Sequence, residues 1–541
     1  MKKLKKALAV AMTALMLLST AACGGGGDQT PQGGGTLKVA LGDAPAYLDP
    51  AIGGDSYTMS ILCNLYFPLF CYDKDGNVIN EAVESYEVSD DGLTYTFHLR
   101  EGNKWSDGKA VTAADYVYGA MRSVGYGPDA GYSRFITDHV VGAWDNYGKD
   151  VKDMSGMAYV ALDEKTIEAK LNAPCPYFVS KMICGVFYPL RSDFAEEHTS
   201  AWANNPAVPT NGPFKLAAIN ESEKAELVKN DEYIYADKVK LEGVNFFFMA
   251  DQDAQQLAFE TGEIDMATNV STNVFTTYKG KSELVVAKPY VINYFILLNP
   301  NEIKEPEVRQ ALAYATNRSE FLTALDVNDT AGAYYELTGF VPEGIPGKTG
   351  DFYTEGAKQA NWLPYDPEKA KTILAKYGYT EANPLKLTYY YSNSATHTTV
   401  AQVIQDQWKK VNVEVELKTG DVQTFFKDRG NGNFQACRHA NSADYLDPMI
   451  YLEMYDSLSQ DPVLLSSATY DKMLDDANDP ANDAATRMDM LHEAEEYLVK
   501  DLAWVIPLYG YANPYLVSTK ITSFETDPSG LTLFRYTELT K

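Results

Sequence analysis

The chain has 541 residues, 12% of them aromatic with 38 tyrosines, and a formal net charge of −28. An acid excess of that size excludes nucleic acid and anionic lipid headgroups as partners held by charge. The length exceeds what one hydrophobic core accommodates and implies about two to four domains.

The first 23 residues, MKKLKKALAVAMTALMLLSTAAC, read as a processing signal. Lys2, Lys3, Lys5 and Lys6 form a basic start, residues 7–18 an apolar run, and the small residues 19–22 lead to Cys23. The apolar run falls short of the roughly 20 residues of a membrane-spanning helix. Cys23 stands where a bacterial lipoprotein carries its lipid, although Thr20 occupies a position where Leu is commonest; the alternative is an ordinary signal peptide. Residues 24–35, GGGGDQTPQGGG, contain seven glycines and no large apolar side chain, so they suit a tether rather than a core. The expected location is outside the cytoplasmic membrane, anchored to its outer face through lipidated Cys23.

Beyond the tether, GTLKVALGD alternates as a strand through Leu37, Val39 and Leu41. APAYLDPAI is a turn-rich loop carrying Tyr47, and SILCNLYFPLF (60–70) has a helix-like apolar pattern. DGLTYTFHLREGNKWSDG predicts a strand with Leu93, Tyr95, Phe97 and Leu99 on one face. A helix follows at VTAADYVYGAMRS, with Thr112 as N-cap and Asp115 complementing the helix start. Short strands are predicted at KTIEAKL and AELVKN. VNFFFMADQDAQQLAFETGEIDMATNV then reads as strand–helix–strand, with Asp251 capping the helix and Gly262 stopping it. That unit favours a crossover onto a parallel or mixed sheet.

A second α/β region begins after YVINYFILLNP. PEVRQALAYATNRSEFL is expected to be helical, with Val308, Ala311, Leu312 and Ala315 on one stripe. DPEKAKTILAKYG has Asp366 at the N-cap, Pro367 at the first helical position and Gly378 past the end. LKLTYYYS, a helix over 400–408 and VEVELK make another strand–helix–strand unit. Two α/β bodies in one exported chain suggest a ligand cleft between lobes.

Five cysteines follow Cys23. Cys63 with Cys71 and Cys175 with Cys184 could each close a short loop, leaving Cys437 over; the alternative is that all are buried small side chains. No Cys/His spacing suits a metal, and none of the six histidines sits in a nucleophile–base pattern. Neither an enzyme nor a cofactor is expected.

Several stretches carry a resemblance: DKDGNVINEAVESYEVSDDGLTYTFHLREGNKWSDGKAVTAADYVY, TNGPFKL, LAFETGEIDMA, VRQALAYATNRSEFL and SADYLDP. In their order they resemble the extracellular solute-binding proteins of bacterial ABC importers, specifically the oligopeptide- and dipeptide-binding family 5. The similarity spans nearly the whole mature chain. The resemblance implies an α/β fold: a two-lobed periplasmic-binding-protein-like clamp (class II) with an additional α/β domain inserted in lobe one. It places lobe one at residues 36–80, 206–292 and 508–541, the inserted domain at 81–205 and lobe two at 293–507, with hinge crossings near 290–294 and 506–511. It also implies peptide capture between the lobes by a monomer. Delivery would be to a membrane permease served by ATPase subunits that this chain does not contain. Alternatives are a polar solute such as an oligosaccharide, and a peptide-sensing receptor.

In peptide-binding members an aspartate of an Ala-Asp-Tyr element meets the ligand's terminal ammonium, and here that element is Ala443-Asp444-Tyr445. A carboxylate in a partly dry cleft would pair such a cation. Read from the residues alone, Asp444 could instead be a loop-capping side chain satisfied by backbone N–H groups. Many oligopeptide binders have Trp-Cys before the alanine, whereas this chain has Asn441-Ser442, which removes a flat wall and adds hydrogen-bonding groups. Arg438 aligns with a cleft arginine of some members, for a ligand carboxylate or for bridging the lobes. Tyr47, Tyr509 and Tyr511 are further candidates for the cleft wall.

Overall fold

The structure is a computed structural model that describes residues 34–540 apart from 46, 53–55, 74–75, 198–201, 221, 287–290, 331, 458–464 and 528–529. Two large sheets organise it. The first has seven strands in the order Leu284–Val286, Pro514–Val517, Met266–Ala267, Thr36–Leu41, Gly243–Phe248, Lys224–Lys229 and Phe214–Asn220. The second has six: Tyr334–Glu336, Val505–Tyr511, Ile292–Leu298, Ala436–Ser442, Leu385–Ser392 and Val413–Gly420. A separate four-stranded antiparallel sheet (Val83–Val88, Thr94–Leu99, Thr166–Lys170, Tyr159–Ala161) belongs to the domain inserted in the first lobe. The molecule is a two-lobed α/β clamp with that added domain.

The local signals explain most elements. Asp251 accepts from the Ala254 N–H at 2.8 Å, capping Gln252–Glu260, and Gly262 takes φ 75° after it. This strand–helix–strand unit crosses the sheet rather than pairing with itself, because Thr36–Leu41 lies between its two strands and runs parallel to both. The Thr112 N–H donates to Asp115 Oδ2 at 2.8 Å at the start of Ala113–Tyr126. Asp366 accepts from the Lys369 N–H at 2.9 Å with Pro367 next to it, and Gly378 takes φ 83°. Leu385–Ser392, Ala395–Lys409 and Val413–Gly420 form the second crossover, their strands parallel. Ile292–Leu298 is buried from Asn293 onward on both faces, which is why its sequence is a nearly unbroken apolar run.

Two expectations change, and the cysteines take one of their two readings. The helix near residue 60 occupies Ser56–Leu65, and Phe70 already belongs to a strand. The long helical stretch from residue 306 is two helices, Pro306–Tyr314 and Arg318–Ala324. It breaks at Asn317, which is extended and donates its N–H to Gln407 Oε1 at 2.9 Å. No disulfide links Cys63 to Cys71 or Cys175 to Cys184; these four are free thiols, and Cys437 is buried. Cys71 faces Glu81 Oε1 at 3.1 Å, and Cys63 lies 3.7 Å from the Thr532 carbonyl.

The chain passes between the large sheets twice, between Val286 and Ile292 and between Tyr511 and Pro514. Tyr509 and Tyr511, expected at a crossing, therefore lie on the second sheet itself, paired with Tyr294 and Ile292. Among the described residues no helix is long and apolar enough to cross a membrane. Cys23 and the tether up to residue 33 lie outside them.

Candidate functional site

Strand Ala436–Ser442 runs through the middle of the second sheet, and its side chains alternate. Cys437 and His439 turn into the core, where His439 stacks on Phe295 at 4.8 Å between ring centroids. Arg438 and Ser442 turn the other way. Ser442 is exposed and lines a cavity of about 240 Å³ between the sheets, opposite Leu41, Gln252 and Asn269. The cavity's polar lining is uncharged: Ser56, Ser60 and Asn513 also face it. Asn441 is half-buried, its N–H held by Asn293 Oδ1 at 3.0 Å.

Arg438 is half-buried, its guanidinium 5.3 Å from the ring centre of Phe425 and 5.9 Å from that of Phe426. Among the described residues it makes no ion pair, and its Nε has no hydrogen-bond partner.

The strand ends in the loop that carries Asp444. Asp447 anchors this loop by a bidentate pair with Arg487 (2.7 and 2.8 Å), and the Leu446 N–H donates to the Tyr72 hydroxyl at 2.7 Å. Asp444 itself is half-buried and accepts one hydrogen bond, from the Tyr132 hydroxyl at 3.1 Å. Among the described residues no lysine or arginine pairs with it, and no backbone N–H caps it. Burial pushes its carboxyl up to about 7, against the smaller opposing effect of the Tyr132 hydrogen bond. Tyr445 is buried, stacked face to face on Tyr177 with centroids 5.5 Å apart, and donates to Glu453 Oε1 at 2.7 Å.

A second cavity, of about 330 Å³, lies against the same sheet. Its wall includes Tyr294, Tyr334, Tyr509, Tyr511 and His397, with Thr272 from the first lobe. Tyr294 stacks on Tyr509 (4.9 Å) and Tyr334 on Tyr511 (5.6 Å). Gly510 between them has a physical reason: a Cβ there would collide with the ring of Tyr335. The Tyr294 hydroxyl and His397 Nδ1 are 3.0 Å apart; burial, and secondarily the Arg438 charge, lower the His397 pKa to about 4, so its ring is neutral. Tyr47 is 51% exposed and lines neither cavity.

The structure thus gathers Asp444, Ser442, Asn441 and Arg438 along one strand and loop, of which Ser442 lines one of the two cavities and the other three line neither, sets Tyr509 and Tyr511 in the wall of the second, and leaves Tyr47 apart. Tyr132, Tyr294, Tyr334 and His397 escape sequence reasoning. Tyr132 lies in GPDAGYSRFI, about 310 positions from Asp444, and nothing local marks it. Tyr294 and Tyr334 carry a signal only in the tyrosine excess. Among the described residues no three His, Cys, Asp or Glu side chains converge on a metal position.

A profile described as bacterial extracellular solute-binding proteins, family 5, middle region, matches residues 77–462. The dipeptide-binding protein DppE of Bacillus subtilis is 28% identical over 501 residues, 91% of this chain and 90% of its own length. Among solved structures, Haemophilus influenzae OppA in complex with the peptide RPPGFSPFR superposes with TM-score 0.75 and 25% identity, covering 95% of this chain and 100% of that one. The periplasmic murein tripeptide-binding protein MppA in its unliganded open form gives TM-score 0.76 at 24% identity, covering 94% and 97%.

Proposed function

Because the chain belongs to family 5 of the bacterial extracellular solute-binding proteins, we propose that it captures short peptides with free termini between its lobes. It would deliver them to an ABC permease as a non-catalytic monomer. The observation that carries the reading is a pair of uncompensated charges. Among the described residues, Asp444 is a half-buried carboxyl group with no cation beside it, and Arg438, six positions earlier, is a half-buried cation with no carboxylate beside it. A partly buried charge without a counter-ion is costly, and a ligand that supplies the counter-ion recovers that cost on binding. A zwitterionic peptide supplies both. Six residues of extended chain span at most about 21 Å, so both ends of a short peptide come within reach.

Tyr132 supports the same role, since its hydroxyl donates to Asp444 and brings no charge that would replace a ligand cation. Ser442 and Asn513 offer hydrogen bonds to a peptide backbone in the cavity. The names of DppE and of the OppA complex concern those proteins, and they agree with this ligand class. The unliganded open form of MppA and the peptide-bound OppA support a hinge that closes over cargo.

The uncharged polar lining around Ser442 favours one second reading, an oligosaccharide ligand. Mass spectrometry of cargo released from natively purified protein tests both. Peptides are expected; sugars with no peptide would overturn the proposal. Anchoring through Cys23 belongs to the same proposal: Cys23→Ala should move the protein from the membrane fraction to the medium or periplasm, and equal membrane retention would exclude the anchor.

A further inference from the structure

Next to Asp444, a buried ammonium joins the inserted domain to the second lobe. Lys181 is only 2% exposed. Its Nζ contacts Glu453 Oε1 and Oε2 at 3.0 and 3.2 Å and His139 Nε2 at 2.7 Å. Three rings surround it, with centroids 5.0–5.2 Å away: Phe135 and Tyr177 from its own domain, and Tyr445 from the second lobe. Glu453 is fully engaged, since Tyr177 donates to Oε2 (3.1 Å) and Tyr445 to Oε1 (2.7 Å). Burial, with the Lys181 charge after it, holds the His139 pKa well below the usual histidine range, so its ring is a neutral acceptor for the ammonium.

Every member of this knot belongs to one of two bodies. His139, Phe135, Tyr177 and Lys181 lie in the inserted domain and Tyr445 and Glu453 in the second lobe, so a hinge motion between those bodies would part the two sets. Tyr445 is peptide-bonded to Asp444, so the knot also fixes the loop on which the candidate ammonium site sits.

We propose that Lys181 and Glu453 form a closure latch, the positioning contact through which the inserted domain holds the second lobe shut and sets Asp444 in place. The proposal rests on the clamp reading and not on the ligand class. Lys181 is buried and Glu453, 25% exposed, is fully hydrogen-bonded, so loss of Glu453 would leave a desolvated ammonium without its carboxylate. Opening would let water reach the surviving partner, so removing either one should favour opening over unfolding.

The test uses the full-length protein purified natively with the cargo it retains. Fluorophores on Leu162→Cys in the inserted domain and Tyr365→Cys in the second lobe, both exposed positions, report the inter-lobe distance. Lys181→Met and Glu453→Gln should each raise the wide-distance population about tenfold or more, the factor that 1.4 kcal/mol provides. The double variant should add little beyond either single one. Glu453→Gln keeps groups for both tyrosines to bond, so it remains informative if Lys181→Met folds poorly. Unchanged distances with only a lower Tm would reduce the pair to a structural salt bridge and overturn the latch. A wild-type protein that stays wide open with its cargo bound would overturn it equally. Failure of the peptide reading would look different, as absent peptide binding with the distance response intact.

Discussion

Tyr132 on the inserted domain donates its hydroxyl proton to Oδ1 of Asp444 on the second lobe across 3.1 Å. A phenol is a modest partner for a half-buried carboxylate, because it supplies one hydrogen bond and no charge. The pair therefore leaves electrostatic room for a cation, and that cation is expected from the ligand.

Asp444→Ala should weaken a free-amine peptide by about 30- to 4,000-fold, the equivalent of roughly 2–5 kcal/mol for stranding a desolvated charge. The N-acetylated peptide, which has no ammonium to strand, should lose much less. Calorimetry with both peptides on both proteins measures this, and equal losses would make Asp444 a structural residue only.

The same carboxylate makes binding pH-dependent. In the empty protein burial pushes Asp444 up to about 7, and a bound ammonium would pull it back toward the usual carboxylate range. The ligand prefers the ionised form, so affinity is complete above pH 7 and falls as pH drops, by up to about tenfold per unit. Binding at pH 6 should release a proton, visible as a dependence of the calorimetric heat on buffer ionisation enthalpy. Asp444→Asn should abolish both the slope and the release; a slope that persists would place the titrating group elsewhere.

Glu495 predicts a pH effect on stability. It is fully buried; Oε1 accepts from the Phe340 and Val341 N–H groups at 2.6 and 2.9 Å, while Oε2 has no partner. Burial, opposed by those two hydrogen bonds, raises its pKa to about 7 from an ordinary 4.5. The native state thus holds a proton that the unfolded chain gives up, and this contribution, present in full below about pH 4.5, is lost as pH rises through 7. Glu495→Gln should remove a difference of a few kcal/mol between pH 5 and pH 8. Denaturant unfolding at the two pH values reads it, and identical slopes for variant and wild type would show that Glu495 does not titrate there.

The sequence makes legible what short-range chemistry decides. Asp251, Asp366 and the Thr112–Asp115 pair each cap a helix within three residues of themselves, and Val308, Ala311 and Leu312 share a stripe that needs no knowledge of its partner. The break at Asn317 is decided by Gln407, 90 positions away, which takes the N–H that a continuous helix would have used. Tyr132 and Lys181 are harder still. Their roles exist only after the inserted domain meets the second lobe, and locally they are an ordinary tyrosine and an ordinary lysine. Asp444 stands out through a family pattern, yet its phenol partner, and the lack of a cation beside it among the described residues, arise only in the fold.

The last prediction concerns what holds Asp444 still. Three residues on, Asp447 forms a bidentate pair with Arg487, both side chains at most 10% exposed, and it also accepts the Met449 N–H at 3.0 Å. The Arg487 guanidinium lies 5.3 Å from the Tyr177 ring centre, so the pair ties the loop, helix Ala484–Glu496 and the inserted domain together. Arg487→Met would leave the Asp447 carboxylate buried with one backbone donor, and stability should fall by about 3–5 kcal/mol. Replacing both partners together, Arg487→Met with Asp447→Leu, removes the stranded charge and should recover a large part of that loss. Peptide affinity should not recover with it, because the loop bearing Asp444 has then lost its anchor. Urea unfolding separates stability from calorimetric affinity in these variants, and a double variant that regains both would show that Asp444 is positioned by other contacts.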